Sequence, residues 1–302
     1  MMKMFFLKPQ MNTDIHRSLL PEFVQKIRGM TMVGLFLVWF SFPAFAEDQG
    51  GTYDRVLKSE TIRCGYATWP PSISKDPNTG EMSGYSYDVM NAVGAKLGLK
   101  IDWAEEIGWG TAEQAIASHK IDVMCADVCL DAKRTRAVWY STPFTHNPIY
   151  TFVRKEDVRF DDSIEPLNSE KMKLAVLPNT ILDYAAREKY PLAQSFDVND
   201  LGGNIDVIMA VTTGKVDASF NNVYSIEQFN KNNGDPLKIV GEPVRYCHGG
   251  FLLPQDDMKL KQMIDSAIYE LNGSGELRGI LAKNSPDDGR HWRSPALPYE
   301  DK

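Results

Sequence analysis

The chain has 302 residues, 43% of them hydrophobic and 24% charged, a composition that can bury a core and that excludes a disordered or low-complexity protein. Its formal net charge is −7, yet residues 1–46 carry Lys3, Lys8, Arg17, Lys26 and Arg28 against Asp14 and Glu22, a balance of +3 that leaves −10 on the rest. So acidic a body repels phosphate backbones, and with no basic stripe interleaved with aromatics, nucleic acid is not an expected partner.

Lys26 and Arg28 stand before an apolar stretch over residues 30–42, and Ala44-Phe45-Ala46 supplies the small residues that a signal peptidase needs. Residues 1–46 therefore read as a cleaved signal peptide, with the mature chain starting at Glu47 in the periplasm. The apolar stretch is short for a helix that must cross a hydrocarbon core of about 30 Å. No other segment is apolar enough to do so, and the mature protein is expected to be soluble.

After a short polar start, residues 60–67 alternate like a strand, and Trp69-Pro70-Pro71 stops them in a loop. Residues 85–97 place Val89, Val93 and Leu97 on one helical face, and Gly98 ends that pattern. A strand over 99–103, a helix over 111–118 and an apolar strand over 121–126 complete a first unit of alternating strands and helices. The same grammar restarts with a strand at 173–177, helices at 181–187 and 205–213, a strand at 216–220 and a helix at 224–231. An extended stretch over 148–155 joins the two units. The chain returns through 237–243 and 250–253 to an amphipathic helix at 258–271, which gives two connections and a hinge if that helix packs on the first unit. The expected division is a first lobe over 47–150, a second over 151–243, a return to the first over 244–284, and a polar surface tail over 285–302.

Export puts Cys64, Cys125, Cys129 and Cys247 in an oxidising compartment. Cys125 and Cys129 sit four apart with no recurring CxxC and no nearby histidine, so they read as buried thiols or members of a structural disulfide rather than metal or redox ligands. No GxSxG, HExxH or phosphate loop occurs, and His119, His146, His248 and His291 are scattered. No catalytic residue, metal or cofactor is assigned.

In open α/β sheets ligands lie beyond the carboxyl ends of the strands, where loops and helix N-termini converge. Those ends are residues 68–71, 127–134, 179–181 and 221–222, with Trp109 completing the wall. Asp127 and Asp131 make the second of these segments acidic. Asp127 is a candidate to face the cleft and hold a cationic group, whereas Asp131 reads as a solvated loop residue.

The ordered motifs Trp69-Pro70-Pro71, Gly84-Tyr85-Ser86-Tyr87-Asp88-Val89, Lys120-Ile121-Asp122-Val123, Arg134 before Tyr140-Ser141-Thr142-Pro143-Phe144, Val176-Leu177-Pro178-Asn179-Thr180 and Gly214-Lys215-Val216-Asp217-Ala218 resemble the family-3 periplasmic solute-binding proteins of ABC importers. The resemblance implies the two-lobed type II periplasmic-binding-protein fold, each lobe a mainly parallel sheet flanked by helices, joined by a two-segment hinge. It implies a monomeric receptor that delivers a small polar solute, an amino acid or a relative, to an inner-membrane permease. The alternatives are a receptor of the same fold for a non-amino-acid or cationic ligand, or a sensing partner of a membrane signalling protein. By the same resemblance Arg134 grips a ligand carboxylate, Trp69 and Trp109 sandwich the ligand body, and Asn179 and Thr180 line the cleft. This chain departs from the family where Asn222 replaces the aspartate that holds an α-ammonium, where Cys129 replaces a hydroxyl, and where Ile181 replaces a threonine.

Overall fold

Strands rich in β-branched and apolar residues alternate with helices along the chain, and in the computed structural model they assemble into one mixed sheet with helices on both faces. The structure describes residues 51–199, 203–284 and 291–296; the expected signal peptide and most of the expected tail lie outside them. In chain order the elements are α1 (Thr52–Ser59), β1 (Thr61–Tyr66), the short pair β2 (Ser74–Lys75) and β3 (Met82–Ser83), α2 (Tyr85–Leu97), β4 (Lys100–Glu106), α3 (Ala112–Ala117), β5 (Val123–Cys129), β6 (Val138–Tyr140) and β7 (Thr145–Arg154). They continue with β8 (Lys173–Val176), α4 (Ile181–Lys189), β9 (Gln194–Asp197), α5 (Gly203–Thr212), β10 (Ala218–Asn221), α6 (Val223–Asn233), β11 (Leu237–Pro254), α7 (Met258–Gly273) and α8 (Glu276–Ala282). No helix among the described residues is long and apolar enough to cross a membrane.

The sheet runs β4-β1-β5-β11-β7-β10-β8-β9, with β6 also paired to β11. Its two ends are parallel, and β11 and β7 are antiparallel to each other and to their outer neighbours β5 and β10. The core is divided accordingly. One cluster holds Phe152, Leu174, Val176, Val207, Val211 and Phe220. Two others hold Val56, Ile62, Val89, Val93 and Phe251, and Ile116, Ile121 and Met124. The segments expected at 148–155 and at 237–243 with 250–253 form two long strands, β7 and the unbroken run of β11, which are hydrogen-bonded to each other. Their ladder runs from Leu237 opposite Arg154 to Gly249 opposite Thr145 and is interrupted between Val240 and Arg245.

α2 is set by its ends. Gly84 has φ 120°, and a Cβ there would lie 2.3 Å from the Ser72 carbonyl oxygen, so only glycine lets the helix start against that loop. The Tyr85 and Ser86 N–H groups then donate to the carbonyls of Pro71 and Ser72 at 3.1 and 3.0 Å. Gly98 closes the helix in the left-handed conformation. α7 packs on α2 and buries Leu260, Ile264 and Ile268 in the same core cluster as Val89 and Val93.

Both disulfide readings left open by the sequence resolve into bonds: Cys64–Cys125 ties β1 to β5, and Cys129–Cys247 ties the end of β5 to β11. α1, passed over as a polar start, is held because Arg55 and Arg63 both pair with the buried carboxylate of Asp122. Residues 291–293 differ from the expected surface tail. His291 and Trp292 are each 3% exposed, the indole centroid lies 5.0 Å from Tyr85 and 5.3 Å from Tyr224, and Arg293 exchanges two backbone hydrogen bonds with His146. One indole buries enough apolar surface to dock a polar segment whose composition alone argues for solvent. Trp292→Ala should therefore lower the unfolding free energy by about 3–5 kcal/mol, measured by denaturant titration of the full chain.

Candidate ligand-binding site

The carboxyl ends of the parallel strands open into a cleft of about 820 Å³, its open mouth included, bordered by residues of both halves of the sheet. All eight residues singled out from the sequence border it. Trp69 and Trp109 come from the loops after β1 and before α3, Asp127, Cys129 and Arg134 from the end of β5 and the turn after it, Asn179 and Thr180 from the approach to α4, and Asn222 from the approach to α6.

Their local chemistry changes several expectations. Trp69 and Trp109 meet edge to face at 5.7 Å and 88°, so they pack on each other rather than standing parallel with a slot for a ligand between them. Thr180 caps α4, accepting from the Leu182 N–H at 3.3 Å while donating to the Leu177 carbonyl at 2.7 Å. Asn179, at φ 59°, puts its N–H 3.3 Å from the Asp183 carboxylate. Asn222 caps α6: its Oδ1 accepts from the Ser225 N–H at 2.8 Å, and its own N–H donates to Asn221 Oδ1 at 2.9 Å. One lone pair of the Asn222 oxygen is therefore committed to the helix, while its second lone pair and its amide donors remain for a ligand. Cys129 offers no free thiol, since it is bonded to Cys247, which also borders the cleft.

Arg134 is not a surface cation. Its side chain is 8% exposed, Nε donates to Glu113 on α3, and Nη2 donates to the Trp109 carbonyl at 3.2 Å. Burial works against its charge, but the hydrogen bond and attraction of Glu113 outweigh that and hold its pKa above the usual range. Glu113 carried no sequence signal beyond being an acid in a first helical turn. Asp131, expected in solvent, borders the cleft instead, and together with burial it helps push the Tyr184 hydroxyl on α4 up to about 12.

Asp127 is a strongly perturbed group at the cleft. It is half-buried, accepts from the Tyr85 hydroxyl at 2.6 Å and from Thr145 Oγ1 at 2.9 Å, and has no ion pair among the described residues. Burial pushes its carboxyl up to about 6, and the two hydroxyl donors pull back only part of the way. Tyr85, Thr145 and Asn147 were not foreseen as site residues. Tyr85 lay inside a quoted motif, and the period of two along β7 puts Thr145 and Asn147 on one face. His146 and His248, scattered in sequence, meet with Nδ1 atoms 2.6 Å apart. Strand alternation puts them on the face of β7 and β11 away from the cleft. No group of three or more His, Cys, Asp or Glu among the described residues is placed to hold a metal ion.

A carboxyl whose folded pKa lies above its unfolded value of about 3.9 contributes stability below that value and loses it as pH rises through the folded one. For Asp127 the loss falls between about pH 4 and pH 6. Asp127→Asn should accordingly be more stable than the parent by about 2–3 kcal/mol at pH 8, with most of that gain absent at pH 4. Denaturant unfolding of the ligand-free chain at both pH values checks it.

The family model for bacterial extracellular solute-binding proteins, family 3, matches residues 62–286. The L-cystine-binding protein TcyJ of Bacillus subtilis is 22% identical over 228 residues, 75% of this chain and 84% of that one. The L-arginine-binding protein of Pseudomonas aeruginosa is 24% identical over 275 residues, 85% of this chain and 96% of that one. Among solved structures, Tv2483 bound to L-arginine superposes with a TM-score of 0.69 at 17% identity, covering 80% of this chain and 96% of that one. The ancestral amino-acid-binding protein AncCDT-1, a precursor of cyclohexadienyl dehydratase, gives 0.68 at 22% identity, covering 78% of this chain and 99% of that one. With the fold of those structures and a family match over most of its length, the chain belongs to the bacterial extracellular solute-binding proteins of family 3.

Proposed function

We propose that the chain is an exported, monomeric receptor that holds a small polar solute, an amino acid or a close relative, in the cleft and presents it unchanged to an ABC-type permease of the inner membrane. The observation that carries this reading is the convergence of eight separately chosen residues, from both halves of the sheet, on one cleft at the strands' carboxyl ends. Relatives that bind L-cystine and L-arginine supply the solute class. Cleavage after Ala46 and residence in the periplasm follow from the leader, and the lobes over 47–150 with 244–284, and over 151–243, are the bodies that close on the solute. Closure is stabilised only by contacts made in the closed state, so each lobe must supply some of the ligand's partners.

Arg134 is the carboxylate partner in this reading. A guanidinium has five donors, and Glu113 and the Trp109 carbonyl take the Nε and Nη2 positions, leaving Nη1 for a ligand oxygen. Glu113 then competes with the ligand. Arg134→Ala should weaken binding of a carboxylate-bearing solute by about 2–5 kcal/mol. Glu113→Gln should strengthen it, because the guanidinium is freed of a competing anion. Calorimetric titration with the solute identified by native mass spectrometry of the purified chain checks both; equal affinity in Arg134→Ala would remove Arg134 from the site.

A further inference from the structure

Three neighbouring strands, β5, β11 and β7, turn one face toward the floor of the cleft. Asp127 and Cys129 lie on the first, Cys247 and Gly249 on the second, Thr145 and Asn147 on the third, each pair at the two-residue spacing that keeps side chains on one side. Gly249 is what lets this floor exist. A Cβ there would lie 1.4 Å from Asp127 Oδ1 and 2.3 Å from Thr145 Oγ1, so the carboxylate crosses above bare backbone to reach the Thr145 hydroxyl. Beside it Asn147 is 5% exposed, and its Oδ1 has no hydrogen-bond partner. A buried acceptor left unpaired costs about 1–3 kcal/mol, and this one borders the cleft, where a ligand donor can satisfy it.

The charge balance points the same way. Arg134 and Arg245 border the cleft, but the first is paired with Glu113 and the second with Glu188 at 2.7 Å. The Asp127 carboxylate has only hydroxyl donors. On the opposite wall the Asn222 side chain is neutral, and its oxygen already accepts one hydrogen bond in a helix cap. Unpaired acceptors border the cleft at the floor formed by Asp127 and Asn147 and at Asp131, whose buried Oδ2 also has no hydrogen-bond partner, so the unneutralised charge at the cleft is negative.

We propose that Asp127, with Asn147, anchors a protonated N–H group of the solute, a primary ammonium or a guanidinium, so that the cleft selects organic cations able to donate hydrogen bonds. The assignment rests on the receptor reading above and adds the chemical class of the solute. Charge alone is not sufficient for this floor: a quaternary ammonium would face Asp127 but leave the Asn147 acceptor without a donor.

The test is a thermal-shift and calorimetric panel on the full chain at pH 7.5, about 1.5 units above where the Asp127 carboxyl titrates, using agmatine, cadaverine and L-arginine as N–H cations, choline and glycine betaine as quaternary controls, and succinate as an anion. At least one N–H cation should bind, the quaternary controls and succinate should not, and Asp127→Asn should weaken the cation at least about 30-fold. Asp127→Asn removes an ionised buried group and so folds at this pH, and its own unfolding midpoint reports that directly. Gly249→Ala, which displaces the carboxylate without removing it, should weaken the same cation. Binding of succinate or choline, or a cation affinity unchanged in Asp127→Asn, would overturn the assignment. If a non-cationic solute binds and Trp69→Ala abolishes that binding while Asp127→Asn does not, the receptor reading stands and this inference fails. If neither the panel nor any co-purifying compound shifts the midpoint, both fail.

Discussion

A backbone segment that passes between two apolar cores must pair its N–H and C=O groups, because leaving them unmade costs as much as losing the hydrogen bonds outright. β7 and β11 meet this requirement by pairing with each other, from Leu237 opposite Arg154 to Gly249 opposite Thr145. Everything else in the fold follows from that ribbon. It places the parallel strands of the two halves on its two flanks, so their carboxyl ends open toward a shared cleft. Its own residues, Asn147, Ile149, Arg245 and Cys247 among them, line that cleft.

The floor holds an electrostatic tension. Asp127 is desolvated by the same packing that aligns it, and it is answered by hydroxyls rather than by a cation. Hydroxyl donors stabilise a carboxylate but do not neutralise it, and the remaining cost appears as the upward shift of its titration. Asp122, five residues earlier and just before β5, is buried more completely but is flanked by Arg55 and Arg63. One aspartate is therefore structural and complete. The other has no cation partner among the described residues and borders the cleft, and perturbed groups in clefts are candidates for function.

Much of this was legible in the sequence. The helix at 85–97 showed its buried face and its terminal glycine, and it spans Tyr85–Leu97. The segments at strand ends could be identified because ligand sites in α/β sheets follow from chain direction. What could not be read depended on partners far away in sequence. β11 contains Pro243 and the pair Gly249 and Gly250, which break a strand pattern, and it is one strand only because β7 and β5 supply its ladder. The Cys247 partner of Cys129 is 118 residues away. Glu113, Tyr85 and Trp292 act through tertiary neighbours that no local period reveals, and the cap that Asn222 makes on α6 depends on the backbone geometry at that helix start.

The interruption in the β11 ladder bears on how capture proceeds in time. The β7 ladder is interrupted between Val240 and Arg245, Gly241 is exposed at φ 69°, and the regular ladder resumes at Arg245. A sheet bends where its ladder is broken, and the bond from Cys247 to Cys129 holds the segment just beyond that break to the end of β5. If the chain closes on a solute as proposed, the pivot falls at that break: Asp127, Asn147 and Arg134 then keep their mutual spacing while the walls carrying Asn179, Thr180 and Asn222 swing in, so changes to the standing floor should act on association rates and changes to the walls on dissociation rates.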